Sequence, residues 1–186
     1  MRDSDLPAFA AICYRKGFHI DALLAQVCST LTDSGLRLGG LLQVSRGGAG
    51  GCATSVHTHD LRTGEAFDIW EERGSCASAC RLDERGLLAA SVAIEHAIAD
   101  KVDLIVINRF GRAESLGRGL LDRFVTALEA GIPVLTAVRE PYDEAWAGFH
   151  GGLAADLAPD AAAVCDWARQ HAGAPPRAEH PDGMPA

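Results

Sequence analysis

The stretch from Lys101 to Arg139 constrains the fold of this chain more than any other part of its sequence. Val102 to Ile107 is a nearly unbroken run of apolar, mostly β-branched residues, typical of a strand buried on both faces of a parallel sheet. From Leu120 onward the apolar residues recur at helical spacing, and Gly131 is expected to end that helix in the left-handed conformation. Ile132 to Val138 predicts a second buried strand. The stretch therefore predicts a strand–helix–strand unit with parallel strands.

The segments on either side predict the same alternation of strands and helices. Strands are expected at Ala8–Tyr14 and Leu36–Val44, and Gly39-Gly40 within the second strand indicates a bulge or a close backbone approach. Asp21 is a good N-cap or first-turn residue for the helix between these strands. The predicted helices outside the central unit are Ala22–Asp33, the segment from Asp83 to Ala99, Asp143–Phe149 and Ala161–Gln170.

A β-hairpin is predicted in the middle of the chain, with strands at Thr54–Leu61 and Ala66–Glu72 around the turn Arg62–Glu65. We expect it to be an antiparallel insertion, at about residues 54–72, at the edge of a mainly parallel sheet. The 186 residues are enough for one α/β domain with three layers, placed at 7–172. The proline-rich polar tail, 173–186, is expected to be disordered.

Charge and hydropathy narrow the classes of partner. The net charge of −8 argues against a nucleic-acid partner bound through an extended basic face. No apolar run approaches the roughly 20 residues that span a bilayer, so no membrane association is predicted. The N-terminus lacks the pattern of a secretory signal, and the expected location is the cytoplasm. The question of a homo-oligomer or a protein partner stays open.

Basic residues follow several of the predicted strands, which is unusual on an acidic chain. Arg15 and Lys16 follow the first strand, Arg109 and Arg112 follow Ile107, and Arg139 ends another strand. Parallel strands place these ends on one edge of the sheet, where helix N-termini also open. This predicts a pocket for a small anion: phosphate, a nucleotide or an oxyanion. The alternative is that these are ordinary polar loops.

Two further residues belong to this predicted pocket. Asn108 would hydrogen-bond the anion, and Gly111 would let the backbone approach it. A magnesium-dependent triphosphate site is not expected, because the first strand–helix turn lacks the GxxxxGK[ST] pattern that supplies backbone amides, a lysine and a hydroxyl. That turn has one glycine, Gly17, and Asp21 in it would repel a phosphate.

The register VDLIVINRFGRAE, followed by LEAGIPVLTAV, resembles the thermophilic nucleoside-triphosphatase group of P-loop proteins. The segments SCASACRLDERGLL and INRFGRAESLGRGL resemble the domain of unknown function 2478 family more closely. The resemblance covers roughly residues 8 to 140. It implies a three-layer sheet of the P-loop NTPase-like type. It also implies a genetic setting near molybdenum-handling functions, which would make molybdate a candidate ligand.

The same resemblance shows where this chain departs from the triphosphatases. Asn108 stands where that group has its magnesium-linked aspartate, and Arg109 stands where it has its catalytic acid. An amide cannot replace the charged carboxylate, and an arginine cannot act as a general base. Glu114 is the acidic residue left at a matching position; it is a catalytic candidate, or it caps the following helix or pairs with Arg112. The pattern favours a binding protein over a nucleoside-triphosphate hydrolase.

Thiols and imidazoles cluster in and after the hairpin. The candidate metal ligands or reactive thiols are Cys52, His57, His59, Cys76 and Cys80. Their spacing is not that of most structural zinc sites, although His57 and His59 would point to the same side of a strand. A solvated strand face is the simpler interpretation. Cys80, beside Arg81, is expected to be the most reactive thiol.

Three functions are compatible with these patterns. The first is a protein that binds a small anion or nucleotide without ordinary hydrolysis. The second is a nucleoside triphosphatase with an atypical site that uses Glu114. The third is a regulatory or interaction module with a vestigial site, whose interaction surface would be the hairpin. No cofactor is certain; a nucleotide or an oxyanion is the candidate ligand, and magnesium is not expected.

Overall fold

The computed structural model describes residues 8–46, 55–68, 70–71, 81–82 and 84–172. Its strands are β1 (Phe9–Tyr14), β2 (Leu38–Arg46), β3 (Ser55–Asp60), β4 (Ala66–Phe67), β5 (Trp70–Glu71), β6 (Arg81–Leu82), β7 (Leu104–Ile107), β8 (Val134–Arg139) and β9 (Ala155–Leu157). Its helices are α1 (Ile20–Asp33), α2 (Glu84–Ala99), α3 (Arg112–Ser115), α4 (Leu121–Glu129), α5 (Asp143–His150) and α6 (Ala161–His171).

The main sheet has seven strands in the order β4-β3-β2-β7-β8-β1-β9. The five strands from β2 to β9 in this order pair in parallel, and β3 and β4 add antiparallel pairs at one edge. The predicted α/β class, the mainly parallel sheet and the antiparallel hairpin at the edge are confirmed. The P-loop type of the sheet stays a prediction.

Helices cover both faces of the sheet, as expected for strands buried on two sides. In β1 the side chains alternate, so that Phe9 packs in one core and Ile12 in the other. The first core includes residues of α2, α4 and α5, among them the fully buried Phe124. The second includes residues of α1 and α6, such as Leu24 and Trp167. Because helices cover both faces of the sheet, the loops at the strand ends are the places where a site can form.

The Gly39-Gly40 pair brings β2 into close contact with its neighbours, as predicted. A Cβ on Gly40 would lie 2.1 Å from the carbonyl oxygen of Val106, and Gly40 has a φ of +97°. A Cβ on Gly39 would lie 2.4 Å from the Cβ of Ala97 in α2. Neither position has room for a side chain, and Gly40 also needs the left-handed region that glycine occupies without strain.

β2 is longer than the neighbouring β7, and this difference shapes the carboxyl edge of the sheet. The two strands pair from Leu38 to Leu41, where β7 ends at Ile107. Beyond Leu41, β2 continues to Arg46 and pairs with β3 alone. The β2–β3 ribbon therefore rises above the ends of the central strands and forms a wall beside the loop that follows β7.

Several boundaries differ from those expected. β9 and α3 were not predicted, because β9 has three residues including the exposed Asp156, and α3 is a single turn. The predicted strand Ala66–Glu72 is divided: β4 has two residues, and β5 pairs with β6 in a separate sheet. Gly131 has a φ of +73°, which confirms its left-handed conformation. None of the helices described is long and apolar enough to cross a membrane.

Candidate functional site

Arg109 is the centre of a polar cluster at the carboxyl edge of the sheet. It follows β7, and its Nη2 donates to both carboxylate oxygens of Asp21, at 2.9 and 3.2 Å. Its Nη1 donates to the Oη of Tyr14, the last residue of β1, at 3.0 Å. The side chains of Arg109 and Asp21 are 27% and 21% exposed, so the ion pair is largely shielded from water. Asp21 lies in the first turn of α1, one of the two places predicted for it.

Two amide side chains also donate to Asp21. Asn108 Nδ2 lies 3.0 Å from Asp21 Oδ1, and Gln43 Nε2 lies 3.4 Å from Asp21 Oδ2. The backbone N–H of Asn108 donates to the carbonyl of Leu41, the last β2 residue that pairs with β7. Asn108 is 6% exposed, and its buried Oδ1 has no hydrogen-bond partner in the part of the chain described. Residues from α1, β2 and the loop after β7 therefore meet at one carboxylate, and Tyr14 of β1 joins the cluster through Arg109.

Thr136, a fully buried residue of β8, holds the loop that carries Asn108 and Arg109. Its Oγ1 donates to the carbonyl of Ile107 at 2.6 Å and accepts from the backbone N–H of Phe110 at 3.2 Å. Phe110 is 1% exposed and packs against aromatic side chains of α4 and α5. The loop is thus fixed from both sides, by a hydroxyl at its start and by a buried ring at its end.

Four residues of this cluster, Tyr14, Asp21, Gln43 and Thr136, were not predicted as site residues, although Asp21 was predicted at the start of a helix. Thr136 had a signal in the sequence, because it is the polar residue in the buried strand Val134–Val138. Tyr14 had a weaker signal as the last residue of a predicted strand. Gln43 had none, because its role depends on β2 extending past β7.

An open cavity of about 340 Å³ lies beside the cluster, and we call it the site cavity. Its polar lining includes Asp21, Gln43 and Arg109. The remaining lining comes from the turn before α1, from the small side chains of α1 and from β2: Phe18, His19, Ile20, Ala22, Ala25 and Val44. A cavity of this size is at the lower end of the range for small-molecule sites, and its position at the strand ends is where open α/β sheets bind ligands.

The other predicted basic residues lie on the same edge, because β7, β8 and β1 are adjacent and parallel. Arg15 and Lys16 are exposed in the turn after β1, and Arg112 is exposed at the start of α3. Arg139 is half-buried; its Nη1 donates to the carbonyl of Glu140, and its guanidinium lies over the Tyr142 ring. The structure places Arg109 in the lining of the site cavity and shows the others around the edge.

Glu114 and Gly111 shape the backbone after Arg109. Glu114 Oε2 accepts from the N–H of Gly111 at 3.1 Å, and its Oε1 accepts from the N–H of Leu120 at 3.2 Å. Both carboxylate oxygens therefore stabilise backbone, the first at the N-terminus of α3. A Cβ on Gly111 would meet nothing closer than 3.8 Å, so this position does not require glycine for space.

The predicted thiol and imidazole cluster is partly outside the described residues, since Cys52, Cys76 and Cys80 lie there. His57 and His59 share the half-exposed side of β3, and His57 Nδ1 lies 2.6 Å from Asp68 Oδ1. Among the residues that the structure describes, no three His, Cys, Asp or Glu side chains are grouped to hold a metal ion. The described arrangement is that of a solvated strand face.

Three other cysteines are described, and all are free. Burial raises the pKa of the Cys13 thiol to about 12, helped by the nearby carboxylate of Asp156. Burial likewise raises the pKa of Cys28 to about 12, and it raises the pKa of Cys165. Since the thiolate is the reactive form, these cysteines are poor nucleophiles at neutral pH. Cys28 and Cys165 are core residues packed between α1 and α6.

Comparison with known proteins adds a family and one relative. The chain is 45% identical over 160 residues to the molybdenum import ATP-binding protein ModC 2 of Bradyrhizobium diazoefficiens. The aligned part is 86% of this chain but 18% of that protein, so the chain spans less than a fifth of its relative. No solved structure matches the chain. A family model described as "Protein of unknown function (DUF2478)" matches residues 9–167. The match confirms the resemblance to that family seen in the sequence, and the chain belongs to the DUF2478 family.

Proposed function

We propose that this chain binds a small anion at the site cavity and does not hydrolyse it in the ordinary way. The anion is phosphate, a nucleotide or an oxyanion such as molybdate. The observation that carries the proposal is the position of Arg109, a largely buried guanidinium on the wall of a cavity at the carboxyl edge of the sheet. On a chain with a net charge of −8, a partly buried cation in a cavity at the carboxyl edge of the sheet is a specific feature rather than general surface charge.

Arg109 retains capacity for a ligand although it is already paired. A guanidinium has five N–H donors, and the contacts to Tyr14 and Asp21 use at most three of them. The ion pair with Asp21 also fixes the side chain in one orientation, so a ligand does not have to order it. An incoming anion would share Arg109 with Asp21 or displace that carboxylate. The exposed cations Arg15, Lys16 and Arg112 would add attraction from the same edge.

Ordinary hydrolysis is not part of the proposal, because the described site offers no carboxylate free to act as a base. The loop after β7 supplies an amide, Asn108, and a cation, Arg109. Asp21 is engaged by Arg109, and Glu114 accepts from two backbone amides. A carboxylate or an imidazole can act as a general base; the carboxylates here are engaged, and His19 is the imidazole in the lining of the site cavity. Loss of either Glu114 contact would primarily disturb the backbone at Gly111 or Leu120.

The relative's name suggests the setting in which the anion is bound. That protein is a molybdenum import ATP-binding protein, and this chain matches a domain-sized part of it. We propose that this chain also works in molybdenum handling. Molybdate and its analogue tungstate are then the first oxyanions to test, beside phosphate and nucleotides. The same name favours one alternative, a nucleoside triphosphatase with an atypical site that uses Glu114.

A thermal-shift screen tests the proposal, because a ligand that binds the native state raises the melting temperature by mass action. The ligands are nucleotides with and without magnesium, phosphate, sulfate, molybdate and tungstate. We expect at least one anion to raise the melting temperature without magnesium, and Arg109→Ala to weaken its affinity by more than about tenfold. The matched control is Arg169→Ala, which removes the same charge from an exposed position on α6.

Three results would overturn this function. An affinity unchanged in Arg109→Ala would remove Arg109 from the site. Magnesium-dependent phosphate release that is lost in Glu114→Gln would instead establish the triphosphatase alternative. If no ligand shifted the melting temperature, the interaction-module hypothesis, with the β3–β4 hairpin as its surface, would take precedence.

A further inference from the structure

We infer that the site cavity takes an organic anion with a flat aromatic ring, such as a nucleotide, rather than a bare tetrahedral oxyanion. The ring would lie on Phe18, and the anionic group would contact Arg109. This inference rests on the proposed function in one respect, because it takes Arg109 to be the anion contact. The ring subsite on Phe18 is a separate claim and can be tested separately.

Phe18 is an aromatic side chain that the fold leaves exposed in the cavity lining. It is 42% exposed, although Tyr14, four residues earlier, is 7% exposed. Its backbone is fixed by a tight turn, in which the N–H of Phe18 donates to the carbonyl of Arg15 at 3.1 Å. Gly17, with a φ of +92°, occupies the third position of this turn, where a type II turn requires glycine. The turn therefore presents the ring to the cavity on a rigid support.

The aromatic and cationic parts of the site are joined through one residue. The ring of Tyr14 contacts the ring of Phe18 at a centroid distance of 6.4 Å. The hydroxyl of the same Tyr14 accepts from Arg109 Nη1 at 3.0 Å. Phe18 and Arg109 thus line one cavity and share a neighbour. A ligand with a ring at one end and a negative group at the other matches this arrangement.

The lining of the cavity argues against a bare oxyanion. Five of the nine lining residues, Phe18, Ile20, Ala22, Ala25 and Val44, are apolar. The polar ones are His19, Asp21, Gln43 and Arg109, and the Asp21 carboxylate repels an anion. A tetrahedral oxyanion needs hydrogen-bond donors on all sides. Burial against apolar atoms removes its hydrogen bonds to water and supplies no others in their place. It would also fill only a small part of about 340 Å³, a volume at the lower end of the range for sites that bind small organic molecules. Proteins commonly hold a nucleobase by stacking it on an aromatic side chain, and this works for any of the bases because each has a flat π-face.

Titration calorimetry with matched probes tests the inference. The probes are AMP and GMP, ribose 5-phosphate, inorganic phosphate, molybdate and adenosine. The proteins are the wild type, Phe18→Ala, Phe18→Trp and Arg109→Ala. Leu153→Ala serves as the control, because it removes an exposed apolar side chain, 74% exposed, outside the cavity lining. Phe18 is itself well exposed, so its substitution should leave the folded state intact.

We expect the wild type to bind a nucleoside monophosphate about tenfold or more tightly than ribose 5-phosphate. Phe18→Ala should abolish that difference without changing the affinity for ribose 5-phosphate, and Phe18→Trp should retain it. Equal affinities for the two probes, or an equal loss of both in Phe18→Ala, would overturn the ring subsite while Arg109 remained the anion contact. Adenosine binding that depends on Phe18, with no gain from a phosphate, would instead keep the ring subsite and overturn the proposed anion site. If molybdate bound more tightly than any nucleotide, or no probe bound, the inference would be wrong.

Discussion

The two edges of the sheet carry cavities of similar size that differ in the polar groups around them. The site cavity at the carboxyl edge is about 340 Å³. A second cavity, of about 360 Å³, lies at the amino edge between the ends of α1 and α2 and the start of β2. Each contains an arginine paired with an aspartate: Arg109 with Asp21 at the carboxyl edge, and Arg62 with Asp100 at the amino edge.

Each ion pair at the amino edge has one exposed partner and is local in its effect. Arg37, 63% exposed, binds Asp103, 21% exposed, and the carbonyl of Lys101; Asp100, 57% exposed, binds Arg62, 25% exposed. These contacts tie the start of β2 and the turn after β3 to the end of α2. Pairs with one partner in water contribute roughly 0–1 kcal/mol to stability. The polar contacts at the amino edge are therefore accounted for by the segments that they join, and no ligand is needed to explain them.

The carboxyl edge is different because neutral polar groups surround its ion pair. The Asp21 carboxylate accepts from Arg109 and from the amides of Asn108 and Gln43, and it lies in a largely shielded position. Buried polar groups are retained only where they are well satisfied or have a function. Cavity volume and the presence of an arginine therefore do not distinguish the two edges. The edges differ in the number of partly buried polar side chains that surround the ion pair.

The largest expected effect separates the edges by stability. Asn108→Asp places a second carboxylate, at a position 6% exposed, beside Asp21. Burial and repulsion between like charges should lower the free energy of unfolding by about 3 kcal/mol. Asp100→Asn, which breaks the exposed pair with Arg62, should change it by less than about 1 kcal/mol. Urea unfolding of both variants at pH 7 measures the difference, and equal losses would remove the distinction between the edges.

The second expected effect concerns the support of the loop. Thr136→Val keeps the shape of the side chain but removes the hydroxyl that contacts Ile107 and Phe110, and should cost about 2 kcal/mol. Thr126→Val removes an exposed hydroxyl that contacts the carbonyl of Asp122 on α4, and should cost under about 0.5 kcal/mol. Chemical denaturation compares the two. A Thr136→Val protein as stable as Thr126→Val would show that the loop is held by Phe110 packing and by backbone hydrogen bonds, such as that from Asn108 to Leu41, without help from the hydroxyl.

The third expected effect is a change in anion affinity when the aspartate of an ion pair is replaced. Asp21→Asn removes a negative charge next to the proposed anion and releases Arg109 from its ion pair, so anion affinity should rise by about tenfold. Asp103→Asn makes the same change at the amino edge and should leave the affinity unchanged. Calorimetric titration measures both. A lower affinity in Asp21→Asn would mean that the carboxylate orients Arg109 for the ligand rather than competing with it.

The smallest effect tests the shape of the cavity. Ala25→Leu extends a side chain of α1 into the site cavity at an exposed helix position, so it should weaken ligand binding by a few-fold with stability nearly unchanged. Thr32→Leu makes a comparable extension into the amino-edge cavity and should not affect binding. Weaker binding in Thr32→Leu, but not in Ala25→Leu, would place the ligand at the amino edge and contradict the proposed site.

Local pattern was enough to predict most of the fold, because each main element has a strong signal of its own. The buried runs of β7 and β8, the helix of α4 and the left-handed Gly131 all follow from short stretches of sequence. β9 lacked such a signal, since its three residues owe their place to pairing with β1.

The candidate site was predictable only in part, because its contacts join distant residues. Arg109 and Asn108 were identified from their place after a buried strand, whereas Asp21 was predicted only as a residue at a helix start. Their ion pair spans 88 positions, and no local pattern indicates it. From the sequence, Asp21 is expected to repel phosphate, whereas the structure shows it also as the partner of Arg109. Gln43 joins the cluster through strand register, which depends on the whole sheet.

The central claim is that ligand binds at the carboxyl edge and not at the amino edge. An NMR titration of the ¹⁵N-labelled protein with AMP, without magnesium, tests this most directly, because both cavities are observed in one experiment. The account predicts that the amide signals of Asp21, Gln43 and Arg109 shift in a saturable way while those of Arg37, Arg62 and Asp100 stay in place. Saturable shifts confined to Arg37, Arg62 and Asp100 would contradict it.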